Sequence, residues 1–123
     1  INTLVDLINL VSMCSGYSIG GFDADKIVGD MVTLGVGRHD EKFEGIGRGV
    51  LNVEGLPLYR DAVGGIGSPT SDEERTKITM STVRLQMQIN AFGEEMPLAD
   101  TIDWSVSLLE KYASAENVQI DIF

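Results

Sequence analysis

The sequence predicts an α+β fold, and three observations carry the prediction. Apolar residues recur at helical spacing near both ends of the chain. Short, glycine-punctuated runs with strand character fill the middle. Strands and helices do not alternate as a βαβ repeat requires, so helices and sheet segregate along the chain.

Leu4, Leu7, Ile8, Val11 and Cys14 mark the first helix, with Asn2 or Thr3 as its cap and Gly16 as its stop. Asn9 sits next to the apolar stripe and is expected to be half buried. Cys14 is expected to act as a small buried apolar group rather than a nucleophile. In "IGGFDADKIVGD" the paired glycines admit unusual backbone geometry, and Asp23 and Asp25 read as turn residues. An EF-hand would need further oxygen ligands at set offsets and a closing glutamate, which do not follow.

"MVTLGV" alternates as a strand, and "FEGIGRGVLNVEGLPLYRDAVGGIGSP" reads as two or three short strands joined by tight turns. "GIGRG" and "GGIG" resemble phosphate loops only superficially. No helix pattern follows either, and the lysine and Ser/Thr of a P-loop are missing. Ser68 to Glu74 is expected to be a polar turn. From Thr76 the pattern alternates, with Ile78, Met80, Thr82, Arg84, Gln86 and Gln88 on one face and Thr79, Val83, Leu85, Met87 and Ile89 on the other. The second face suits a sheet core from Val83 onward. Arg84, Gln86 and Gln88 would project together from the first, into solvent or into a pocket.

"ADTIDWSVSLLEKYAS" predicts a second helix, capped by Asp100 or Thr101, with Ile102, Val106, Leu109 and Tyr112 as its buried stripe and Trp104 in the core or at a packing edge. "NVQIDIF" reads as a closing strand.

The chain of 123 residues is long enough for one domain with its own core, and 43% apolar and 23% charged residues are ordinary for a globular protein. No apolar run approaches a membrane span, and a lone cysteine leaves no disulfide framework, so a reducing, cytoplasmic setting is the simplest expectation. Net charge of −10 argues against nonspecific nucleic-acid binding. Its distribution is uneven, however. Residues 38–84 hold seven basic and eight acidic residues, and the rest hold two basic and eleven acidic. A local basic surface in the middle is compatible with that balance.

Side chains for catalysis are few. His39, the single histidine, lies in the loop "GRHDEKF" without a second histidine or a cysteine for zinc, and no G-x-S-x-G elbow occurs. No metal and no cofactor are expected.

The order of motifs is more specific than any one of them. "NTLVDLINLVSMCSGYSIGGFDADKI", a strand, "FEGIG", "LYRDAVGGIGSPTSDEERTKIT" and a strand ending "INAF" together resemble the B3/B4 editing domain of the phenylalanyl-tRNA synthetase beta subunit, from residue 2 to about 92. Asn2, Val5, Asp6, Asn9, Val11, Gly16, Phe22 and Asp23 fall in register with its first block. The "SDEERTKIT" tract is more similar to free-standing relatives of the module. The resemblance implies a layered sandwich of two sheets with helices on one side, and a single domain over 1–123 that forms the C-terminal portion of a larger module.

It also implies a function. The synthetase module removes wrongly attached tyrosine from the phenylalanine tRNA, in a pocket that is largely backbone and lacks a catalytic triad. Carried over by position, Asn9 matches a pocket asparagine, Gly20 takes the place of a pocket histidine, and Gln88 takes the place of the strand glutamate that reads the tyrosine hydroxyl. Gly64, Gly65 and Gly67 match the pocket floor. Arg48, Arg75, Lys77 and Arg84 are the candidate RNA contacts. The expected partners are a tRNA or aminoacyl-tRNA 3′ end and an aromatic amino acid. Two functions follow: hydrolytic editing of mischarged tRNA, or a binding or structural module that keeps the fold without the chemistry. The catalytic group is not specified by the residues.

Overall fold

A computed structural model describes residues 2–68, 71–90 and 97–122. In chain order it contains α1 (Thr3–Ser15), β1 (Ser18–Asp23), β2 (Thr33–Val36), β3 (Glu44–Gly45), β4 (Gly49–Val50), β5 (Pro57–Arg60), β6 (Gly65–Gly67), β7 (Leu85–Asn90) and α2 (Leu98–Ala113). Single 3-10 turns occur at Ala24–Lys26 and Glu74–Thr76. This is the expected α+β class. The chain forms two compact units, one built on α1 and α2 and the other spanning Ser18–Ile89.

In the helical unit, α1 and α2 contact each other. Asn2 caps α1 by accepting from the Leu4 amide at 3.0 Å and the Val5 amide at 3.4 Å. Gly16 ends the helix with φ +79°, and its N–H donates to the Ser12 carbonyl. Ile8, Val11 and Ser15 are the buried positions. Their phase leaves Asn9 exposed rather than half buried, and places Cys14 on the outer side instead of in the core.

α2 begins earlier than its expected caps. Pro97 holds an extended backbone immediately before Leu98, so the helix starts there without a side-chain cap, and Asp100 and Thr101 fall inside the first turn. Thr101 and Ser105 are buried, and their hydroxyls donate to the carbonyls of Pro97 and Thr101. That back-bonding satisfies groups that would be costly to bury alone. Ile102, Trp104, Val106 and Leu109 are half buried, whereas Tyr112 is exposed beside Lys111.

Among the described residues the closing strand is not formed. Residues 117–122 join no ladder and are exposed, including Val118, Ile120 and Ile122. Alternation makes a strand only where a neighbouring strand accepts its backbone bonds. Among the described residues no helix is long and apolar enough to cross a membrane.

In the second unit the described strands form three small sheets: β1 beside β7, the order β2-β5-β6, and the β3-β4 hairpin. β2 and β5 pair antiparallel with Leu34 opposite Tyr59 and Gly35 opposite Leu58. β5 and β6 pair antiparallel with an irregularity at Tyr59 and Arg60. β3 and β4 reverse tightly, with Gly45 opposite Gly49. Phe43, Val53 and Leu58 form the core cluster, with Leu51 packed on it. Phe22 and Ile66 are also buried.

The long alternation of residues 76–89 becomes a strand only from Leu85. Thr79 and Thr82 use their hydroxyls on nearby amides: the Thr79 N–H donates to the Thr82 Oγ1, and the Ser81 N–H to the Thr79 Oγ1. Short polar side chains that satisfy the local backbone compete with a ladder. Val83, expected in the core, is therefore 85% exposed.

Candidate functional site

The site is built around β1 and β7. The Ala24 N–H donates to the Arg84 carbonyl at 2.8 Å, so the end of β1 meets the start of β7. Two paired six-residue strands joined in this sense run antiparallel, and Gly20 falls opposite Gln88 and Phe22 opposite Gln86. Opposed residues project to the same side of a sheet. The side above Gly20 thus carries Phe22, Gln86 and Gln88, and the polar row read from the alternation is real from Gln86 onward.

A second segment brings a carboxyl to the same side. After β6 the Ser68 N–H donates to the Ser71 carbonyl and the Ser71 N–H to the Ser68 hydroxyl. Gly67 and Asp72 then form an isolated bridge, and the Glu73 N–H donates to the Ile66 carbonyl. β3 holds the returning strand. Ile46 donates its N–H to the Asp72 carbonyl, and Glu44 donates its N–H to the Glu73 carboxylate.

Missing β-carbons let these parts approach. A β-carbon on Gly67 would lie 2.8 Å from the Phe22 Cζ and 3.1 Å from the Asp72 Oδ1. One on Gly20 would lie 3.0 Å from the Phe22 Cζ and 3.5 Å from the Asp72 Oδ1. Gly65 serves a different contact, facing the Phe43 and Leu58 side chains. Gly64 has open space at its α-carbon. Its N–H donates to Asp61, whose carboxylate also accepts from the amides of Val28 and Val63.

Two acceptors stand out. Burial pushes the Asp72 carboxyl up to about 6, although the Gly21 N–H bonded to it favours the charged form. Asp72 has no cationic partner among the described residues. The Gln88 Oε1 is buried and receives no hydrogen bond among the described residues. Gln88, Gly20 and Gly67 are among the candidates the sequence offers. Asp72 is not, because it lies in a tract that looks like a solvated polar turn.

The remaining candidates make other contacts. Asn9 is on the exposed side of α1 in the helical unit. Arg75 forks onto Asp61, with both bonds at 2.9 Å. Burial opposes the Asp61 charge, but the Arg75 pair and the backbone amides outweigh it and hold the carboxyl well below the usual range. Lys77 pairs with Glu74, Arg84 with Asp25 at 2.8 Å, and Arg48 donates to the Ser71 hydroxyl. His39 is exposed, 3.2 Å from Glu54 and 3.3 Å from Asp40. Among the described residues no group of three or more His, Cys, Asp or Glu could hold a metal ion.

The fold and site define an α+β module in which glycines let β1, β6 and the Asp72 segment approach around Phe22, with Asp72 and Gln88 as nearby acceptors. The family model for the B3/4 domain matches residues 1–98, and the chain belongs to that family. It is a module related to the phenylalanyl-tRNA synthetase beta subunit. Comparison with curated proteins and with solved structures found no match.

Proposed function

We propose that the module holds the aminoacyl end of a charged tRNA at the side of the β1-β7 sheet that carries Gln88 and hydrolyses a wrongly attached aromatic residue. One observation carries this reading: the Gln88 Oε1 is buried and receives no hydrogen bond among the described residues. A buried acceptor without a donor is costly by roughly 1–3 kcal/mol, and a ligand donor such as a phenol hydroxyl relieves that cost. Phe22 supplies an apolar wall, as an aromatic side chain requires.

The test is deacylation of tyrosine-charged and phenylalanine-charged phenylalanine tRNA by the protein and by Gln88→Ala. Faster release of tyrosine, reduced about 10-fold or more in the variant, is the expected result. The second reading is a binding module without chemistry. It is favoured by His39, the single histidine, lying exposed against Glu54. Tight binding of charged tRNA without release of either amino acid would select it.

A further inference from the structure

Two elements each lack a neighbour among the described residues. Residues 117–122 alternate as a strand, with Val118, Ile120 and Ile122 exposed, and join no ladder. β2 is paired on one side only, because it ends the order β2-β5-β6. The Gly37 N–H, just past β2, donates to the Leu56 carbonyl at 2.8 Å. Bonded residues alternate along an antiparallel ladder, so Leu34 and Val36 turn their backbone groups away from β5. The Arg60 Nη2 donates to the Val36 carbonyl at 2.6 Å. That leaves the Val36 N–H and both backbone groups of Leu34 without a partner among the described residues. The side chains of Leu34 and Val36 are exposed too, by 54% and 63%. An edge of this kind is a template for another strand.

We propose that the 117–122 segment of one copy adds to the β2 edge of a second copy, and that mutual exchange makes a two-fold dimer. Side-chain chemistry selects the register. Running antiparallel with Ile120 opposite Leu34, the segment sets Val118 opposite Val36. It thereby extends the apolar face that Leu34 and Val36 share with Tyr59 and Pro57. The same register brings Glu116 to Arg38, an exposed cation with no carboxylate at ion-pair distance among the described residues. Ser114 and Asn117 both hold φ at 55°, so the chain changes direction between α2 and the segment instead of continuing the helix. A second copy fits because every chain carries one strand to give and one edge to fill. Exchange satisfies both at once and closes, leaving neither element for a third chain. The net charge of −10 on each copy opposes association, so salt tightens the dimer by screening that repulsion.

The experiment is sedimentation equilibrium of the 123-residue chain over a concentration series at low and high salt. A dimer that tightens with salt is expected. Ile120→Lys and Leu34→Lys are each expected to weaken it about 10-fold or more, although each lowers the net negative charge. An equimolar mixture of the two variants is expected to recover part of the association, because a mixed pair keeps one intact contact of segment with edge. A chain that stays monomeric to millimolar concentration overturns the proposal. A dimer that survives Ile120→Lys or Leu34→Lys places the contact elsewhere and overturns it too. A mixture no more associated than either variant alone refutes the pairing of segment with edge, and assemblies larger than a dimer refute the closure. Both substituted side chains are exposed in the single copy, so a thermal melt is expected to show each variant folded. The wild-type series needs no variant.

Discussion

Arg75 and Asp61 meet fork to fork, with the two terminal guanidinium nitrogens 2.9 Å from the two carboxylate oxygens and the Asp61 side chain fully buried. The pair joins the turn before β6 to the 3-10 segment that follows Asp72, and so fixes both ends of the segment that carries the site. Removing the cation strands a buried carboxylate. Arg75→Ala is expected to cost about 2–4 kcal/mol, read as a lower urea midpoint. An unchanged midpoint would show that water reaches Asp61. Loss of RNA binding in this variant is interpretable only beside that measurement.

The glycines separate by what faces them. Gly67→Ala places a methyl against the Phe22 ring and Asp72, and should destabilise by about 1–3 kcal/mol. Gly64→Ala meets nothing within 4 Å and should stay within about 0.5 kcal/mol of wild type. Equal costs at the two positions in thermal melts would sink the distinction.

Stability should vary with pH in two opposite ways. Asp72 titrates at about 6 when folded, against 3.8 ordinarily. The folded state therefore binds the proton more tightly, and its contribution is complete below about pH 4 and lost as pH rises through 6. Asp72→Asn should abolish that decline and exceed wild type by about 2 kcal/mol at pH 7. A parallel pair of stability curves from pH 4 to 7 would refute it.

Glu41 behaves in reverse. The fork from Arg60, through Nε at 2.8 Å and Nη2 at 2.7 Å, holds its carboxyl down to about 2, with the Arg38 N–H adding to the effect and burial opposing it. Its stabilising contribution is present above about pH 4.5 and is lost as pH falls toward 2. Glu41→Gln should unfold with a weaker acid dependence below pH 4 than wild type. An unchanged acid limb in circular dichroism would count against the pairing.

At the start of α1, Asn2→Ala should cost about 1 kcal/mol, because the amides of Leu4 and Val5 lose their acceptor. Asn2→Asp should retain most of it. If alanine and aspartate melt alike, the cap contributes nothing.

Local chemistry determined much of this protein. Helical spacing placed α1 and α2, Asn2 and Gly16 bounded the first of them, and the order of glycine-rich motifs marked the family. These are short-range effects, set by periodicity, capping and backbone freedom within a few residues. The tertiary structure decided what depends on partners distant in sequence. It shortened β7, because Thr79 and Thr82 bond their own backbone, and it left residues 117–122 without a ladder among the described residues. It set Arg75, a candidate RNA contact, fork to fork against Asp61. It also set Asp72, half-buried in a tract that reads as a polar turn, beside Gly20 and Gly67. A carboxyl becomes a site through its surroundings, and those surroundings are assembled by pairing β1 with β7 and β6 with the returning segment.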